Sequence, residues 1–284
     1  MTLGEALRDA QLRAQVANSD ATAWDARLIL THALGTRNPL ALDPRQDISP
    51  KVAARFEELW EKRVSGVPVQ HLLGEWDFYG RTFLVDSRAL VPRSETEVLL
   101  SAALSEAPDA RRILDAGTGS GILAVSWLVE RPLSRAVALD ISLDALAVAR
   151  SNGERHGVLE RLDLLATDWL SGLGAIRFDL AVSNPPYLAL SDGASLPPTV
   201  RDHDPRPALF SGEQGLDAIR HLLDILPDYL EPESPFLFEI GYGQDALVKE
   251  EIRSRNIWRF IRIEPDMAGI PRVAVARRRA DSDG

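Results

Sequence analysis

The chain has no cysteine in its 284 residues. That absence removes disulfides, thiol catalysis and cysteine-ligated zinc or iron–sulfur sites. Histidine is scarce: there are five, scattered, and none of them suggests a metal site. No apolar run reaches the length that spans a bilayer. Met1 to Ala10 lacks the apolar core of a signal peptide, so a cytoplasmic protein without membrane partners is expected. Positive charge is in deficit, with 32 Lys and Arg against 42 Asp and Glu, net −10. Phosphate backbones are held by basic faces, so this balance argues against a broad nucleic-acid footprint, and no direct nucleic-acid binding is expected. Internal repeats are missing too. What remains is ordinary for a globular chain, 45% hydrophobic and 26% charged, and long enough for two domains.

Along the chain the pattern changes twice. Residues 1–73 read as a small helical bundle. Leu3, Leu7, Leu12 and Val16 recur at roughly helical spacing, as do Trp24, Leu28 and Leu34 after an N-cap at Ser19 or Asp20. Phe56, Leu59 and Trp60 mark a third helix. Residues 74–93 read as a hairpin linker, with Phe78, Phe83, Leu84 and Val85 flanking Tyr79-Gly80-Arg81. From 94 to 280 strand and helix alternate. Six strands are expected: Arg112–Asp115, Ala136–Asp140, Asp163–Ala166, Asp179–Ser183, Phe236–Ile240 and Arg272–Ala276. Helices are expected at Gly121–Glu130, Leu143–His156 and Leu216–Leu226. This alternation predicts an α/β fold with a mostly parallel sheet and helices on both faces. Leu188 to Gly215 is rich in Pro, Asp and Ser and has no period, as in functional or disordered loops. The tail after Ala280 reads as disordered.

The first chemical motif is Gly117-Thr118-Gly119-Ser120-Gly121, between the strand Ile113–Ala116 and the helix opened by Ile122. Glycines let a backbone turn tightly and approach a ligand closely. A dinucleotide G-x-G-x-x-G would need glycine where Ile122 stands, so the spacing favours S-adenosyl-L-methionine over NAD. Asp140 closes the next strand, where an acid can accept both ribose hydroxyls or, alternatively, cap a helix. Asp168 can accept from an adenine amine. Trp169 can stack on the ring or simply pack. All of these fall at the carboxyl edge of the sheet.

The second motif is Asn184-Pro185-Pro186-Tyr187, at the end of the apolar strand Asp179–Ser183. A planar amide nitrogen is a poor nucleophile because its lone pair is delocalised. The Asn184 side-chain carbonyl and the Pro185 main-chain carbonyl can both accept from one NH₂ group and turn its lone pair toward a methyl donor. Prolines stiffen the loop and remove competing donors, and Tyr187 can stack on a planar amide. The alternative is a rigid turn with no chemistry. With the glycine loop upstream, the pair predicts an N-methyltransferase.

Further motifs extend the pattern: His71–Glu75 with Phe78-Tyr79-Gly80, Leu90–Glu97, Pro207-Ala208-Leu209, Gly215-Leu216-Asp217, Glu239-Ile240-Gly241 with Gln244, and Asp266–Gly269 with Arg272. In this combination the chain resembles, over nearly its whole length, the protein-(glutamine-N5) methyltransferases that modify peptide chain release factors. The resemblance implies a helical N-terminal substrate-recognition domain, a hairpin linker and a seven-stranded Rossmann-like methyltransferase domain. It implies that Gly117 to Gly121, Asp140, Trp169 and Asn184 hold the cofactor, and that Asn184 to Tyr187 hold the glutamine of a Gly-Gly-Gln loop. Ser94 and Asp204 depart from the family's usual Pro and Glu. Arg93-Ser94 is similar to a sister family acting on a large-subunit ribosomal protein, which stays open as the alternative substrate, with adenine N6 as a third.

Several residues keep two readings. Arg93, Glu95 and Glu97 brace the active-site edge or form structural ion pairs. Arg201 and Arg206 meet an incoming chain or are solvated. His71, His203 and His221 are expected to pack or lie at the surface. Asp179 supports the site or caps an edge, and Arg277-Arg278-Arg279 is expected to be a solvated end.

Overall fold

The computed structural model describes residues 1–280, so the tail after Ala280 lies outside the described residues. They divide into two compact units, residues 1–76 with 195–204, and residues 77–194 with 205 onward.

The first unit is helical: α1 (Leu3–Val16), α2 (Ala23–Ala33), α3 (Pro50–Val64) and α4 (Val69–Leu73). α1 buries Leu3, Ala6, Ala10 and Ala14, whereas Leu12 and Val16 face solvent, contrary to expectation. Alanine carries little apolar area, but its small side chain lets a neighbouring helix come close. Trp24 is likewise largely exposed, and the buried stripe of α2 is Ala26, Ile29 and Leu30. The N-cap of α2 is Thr22 rather than Ser19 or Asp20. Its hydroxyl accepts from Asp25 N, and the Asp25 carboxylate accepts from Thr22 N. Asp20 instead takes Nη1 of the buried Arg63 at 2.8 Å, while Arg63 Nε reaches Asp25 at 3.0 Å. Phe56, Leu59 and Trp60 are buried on α3, as their spacing predicts.

A two-stranded hairpin, β1 (Glu75–Phe78) and β2 (Arg81–Leu84), leads into the second unit, followed by α5 (Ser94–Glu106). Then come β3 (Arg112–Ala116), α6 (Ile122–Glu130), β4 (Arg135–Asp140), α7 (Leu143–Arg155), β5 (Leu162–Ala166) and β6 (Leu180–Ser183). Past α8 (Pro198–Arg201), which belongs to the first unit, the order is α9 (Asp217–Ile225), β7 (Pro235–Glu239), α10 (Asp245–Arg253), β8 (Trp258–Pro265) and β9 (Pro271–Arg278).

The sheet has seven strands in the order β5-β4-β3-β6-β7-β9-β8, parallel from β5 to β7 and antiparallel in its last two pairings. β8 is the strand absent from the six read in the sequence. A register shift between Phe260 and Arg262 breaks its alternation. Arg277 to Arg279 is also not a solvated end: Arg278 is buried in β9 and donates Nε to the Pro227 carbonyl at 2.8 Å. Leu188 to Gly215 is not irregular throughout, since 3₁₀ turns at Leu190–Ser195 and Arg206–Ala208 flank α8.

Candidate active site

Strand order reverses between β3 and β6, and in such sheets ligands bind beyond the carboxyl ends at that crevice. A cavity of about 650 Å³ lies there, lined by the glycine loop, Leu139 to Ser142, Thr167 to Trp169, Thr96 and Asn184.

The glycine loop is shaped by its own backbone. Gly117 N and Thr118 N both donate to the Leu139 carbonyl, at 2.9 and 2.8 Å, and Gly119 N donates to Asp140 Oδ2 at 2.8 Å. Gly117, Thr118, Gly119 and Ser120 line the cavity, but Gly121 does not. Gly121 sits at φ +80°, and a Cβ there would meet Ala149 Cβ at 2.9 Å, so this glycine serves the close packing of α6 on α7. Asp140 is not the helix cap: Ser142 caps α7, and Asp140 Oδ1 accepts from Ser142 N at 2.9 Å. Asp168 is exposed at the cavity rim. Trp169 holds φ +51°, a conformation uncommon for a bulky residue. It lines the cavity with His221, their rings 6.2 Å apart.

Two residues with no chemical role expected from the sequence support this loop. Asp115, fully buried at the end of β3, accepts from Thr118 Oγ1 at 2.7 Å and Ala124 N at 3.1 Å through one oxygen only. Its Oδ1 is buried without a partner. Burial pushes this acid up to about 6 against the bonds from Thr118 and Ala124. Asn152, also fully buried, donates to the Ser120 carbonyl at 2.9 Å and exchanges hydrogen bonds with Leu84.

These groups fit S-adenosylmethionine. An ammonium suits the orphaned oxygen of Asp115, a carboxylate suits loop N–H groups, a diol suits Asp140, and an aromatic base suits Trp169. Leu90, Val91 and Ile122 add apolar wall.

At the other end, the β6–β7 register pairs Ser183 with Phe238, which sets Asn184 at the level of Glu239. Ser183 Oγ donates to the Ala116 carbonyl at 2.6 Å, tying this strand end to the glycine-loop strand. Asn184 lines the cavity and donates Nδ2 to Thr96 Oγ1 at 3.1 Å. Thr96 donates to Glu239 Oε2 at 2.7 Å, and Tyr187 donates its hydroxyl to Glu239 Oε1 at 3.1 Å. Among the described residues no protein donor reaches the side-chain carbonyl of Asn184 or the main-chain carbonyl of Pro185. Pro186 lines the cavity; Pro185 is buried and, like Tyr187, is not part of the lining. The main-chain carbonyl of Tyr187 accepts from Gln244 Nε2 at 2.9 Å, and a Cβ on Gly215 would lie 2.2 Å from it. Burial, and then the adjacent Glu239 carboxylate, raises the Tyr187 phenol above its ordinary range. Burial likewise pushes Glu239 up to about 7.

The remaining candidates sort plainly. Glu97 accepts from Tyr79 N at 2.6 Å, and Arg93 lines the cavity. Asp179 takes the amides of Arg111 and Arg112, both at 2.8 Å, an edge role remote from the chemistry. Arg201 pairs with Asp202, and Arg206 lies over Phe210.

Comparison with known proteins places this geometry among relatives. Residues 5–74 match the PrmC N-terminal domain and residues 94–195 the methyltransferase small domain. A release factor glutamine methyltransferase of Cereibacter sphaeroides is 40% identical, covering 98% of this chain and 99% of its own. Another from Koribacter versatilis is 36% identical over 98% and 99%. A solved methyltransferase from Pyrococcus furiosus shares the fold, with a TM-score of 0.53 at 16% identity over 72% of this chain and 91% of that one.

Proposed function

From the premise that the chain belongs to the release factor glutamine methyltransferase family, we propose that it methylates the side-chain amide nitrogen of the glutamine in the Gly-Gly-Gln loop of a peptide chain release factor. The observation that carries this reading is Asn184: its NH₂ is taken by Thr96, and its carbonyl is left for the cavity that the glycine loop also lines.

Gly117 to Ser120 with Asp115 would hold the amino-acid end of S-adenosylmethionine, Asp140 the ribose, and Asp168 with Trp169 the adenine. Bound there, this cofactor supplies an electrophilic methyl group whose leaving sulfur departs neutral. The chain itself supplies position. The carbonyls of Asn184 and Pro185 each accept one N–H of the substrate amide, which turns the nitrogen lone pair out of conjugation. Positive charge grows on that nitrogen during transfer, so both acceptors bind the transition state more tightly than the ground state. Fixed orientation of this kind contributes roughly 7–11 kcal/mol. Tyr187, held at its hydroxyl by Glu239 and at its carbonyl by Gln244, keeps the loop from relaxing. The proton leaves afterward to water.

The test is methyl transfer from labelled cofactor to purified release factor, large-subunit ribosomal protein and DNA, with the modified residue mapped. Label on the release-factor glutamine is expected. Label confined to the ribosomal protein or to adenine overturns the assignment.

A further inference from the structure

Thr96 and Glu239 lie 143 residues apart in sequence and meet at 2.7 Å, each only 1% exposed. Little water reaches either side chain to offer an alternative partner. An ionised carboxylate only accepts hydrogen bonds. The single hydroxyl hydrogen of Thr96 is therefore committed to Glu239 Oε2, and that of Tyr187 to Oε1. With its hydrogen committed, Thr96 Oγ1 meets Asn184 only as an acceptor. Asn184 must then offer it the NH₂, which it does at 3.1 Å. Because the amide is planar, its carbonyl points the other way. The donor-to-acceptor direction of the whole chain of bonds is set at Glu239.

We propose that Thr96 and Glu239 are positioning residues that hold the Asn184 amide with its carbonyl toward the substrate nitrogen. The inference rests on the glutamine-holding role of Asn184 given above. A protonated Glu239 can donate from Oε2 to Thr96. The Thr96 hydrogen is then free to point at Asn184, whose amide turns over and presents NH₂ to the incoming NH₂. Two donors face each other, and the substrate amide is refused.

The groups facing Glu239 are Thr96 and Glu95 from α5, Tyr187 from the loop after β6, and Arg272 from β9. Burial is the largest influence and raises its pKa; the bonds from Thr96 and Tyr187 lower it, Glu95 raises it and Arg272 lowers it, leaving it at about 7. Falling pH therefore removes the productive orientation as it passes through that value.

The experiment compares wild type with Thr96→Val, Thr96→Ser and Glu239→Gln, using labelled S-adenosylmethionine and purified release factor, with kcat and KM measured from about pH 6 to 9. Thr96→Val is expected to lose about 100-fold in kcat, with unchanged cofactor affinity and a lowered thermal midpoint, because Glu239 Oε2 is left buried without a donor. Thr96→Ser, which keeps the hydroxyl, restores most of that loss. Wild type shows an acid limb in kcat near pH 7, and Glu239→Gln lowers kcat and abolishes the limb. A readout independent of turnover is the Asn184 side-chain NH₂ resonance, identified by its disappearance in Asn184→Asp. It shifts with the same inflection in wild type and is flat in Glu239→Gln. Wild-type kcat in Thr96→Val, an acid limb that survives in Glu239→Gln, or an Asn184 resonance that does not titrate overturns the proposal. A wild-type enzyme that leaves release factor unlabelled overturns the substrate reading instead, and the resonance still decides the orientation.

Discussion

The two ends of the cavity are each organised by a buried acid at the end of a central strand, Asp115 on β3 and Glu239 on β7, and the two acids are satisfied differently. Glu239 has a hydroxyl on each oxygen. Asp115 has both of its bonds on one oxygen and none on the other. An unpaired carboxylate oxygen in a dry site is costly, on the order of 1–3 kcal/mol or more, unless a cation arrives. The saturated acid is complete within the protein, and the half-saturated one has an acceptor to spare. Burial alone, which raises the pKa of both, does not separate them.

The largest expected effect lies at the Glu239 end. Asn184→Ala removes one of the two acceptors proposed to hold the substrate nitrogen and should lower kcat by about 10²–10³-fold. Cofactor affinity measured by calorimetry should hold, and a variant with near-wild-type kcat would sink the amide-holding role. Gly215→Ala comes next, because its Cβ has no room beside the Tyr187 carbonyl. It should cut kcat by about 100-fold while cofactor affinity changes little, which single-turnover assays and titration can separate.

Asp115→Asn tests the other end. It should weaken cofactor binding by about 10-fold, or about 1.4 kcal/mol, and leave the Asn184 resonance unmoved. Its stability effect has a definite sign. The folded acid titrates near 6, above its ordinary 3.8, so the folded state binds more protons between those values. Native stability contributed by this group is therefore lost as pH rises through that window. Without cofactor, Asp115→Asn should raise the thermal midpoint at pH 8, with the gain shrinking toward pH 5. No difference between the two pH values would break the contrast between the acids. The smallest kinetic effect is expected from Asn152→Ala, which removes buried hydrogen bonds under the glycine loop at a cost of roughly 2–4 kcal/mol, read as a lower denaturation midpoint.

The same contrast explains what could be read from the chain beforehand. The glycine loop is legible because its determinants are local: glycines follow one another within five residues and the backbone sets the shape of the loop. The Asn-Pro-Pro-Tyr loop is legible for the same reason. Thr96, Glu239 and Gln244 stand within motifs visible in the sequence, but their roles are not legible there, because they act on that loop from 52 to 88 residues away and meet it only in the folded chain. Asp115 was read as part of a strand, and its spare oxygen is visible only once Thr118 and Ala124 are in place. The miss at α1 has another cause. Leu12 and Val16 look apolar by pattern, yet the helix packs through alanines whose role depends on the neighbour's approach. The strand β8 escaped because its bulge sets Phe260 and Ile261 side by side, breaking the period of two.

The paired carbonyls at Asn184 and Pro185, with no protein donor to fill them, carry a consequence for the product. A glutamine that has received one methyl keeps a single hydrogen on nitrogen, so in the proposed grip one of the two oxygens would be left without a partner. The proposed reaction is in this sense self-limiting: the grip that makes the first transfer possible loosens on its own product, favouring departure and opposing a dimethylated side chain.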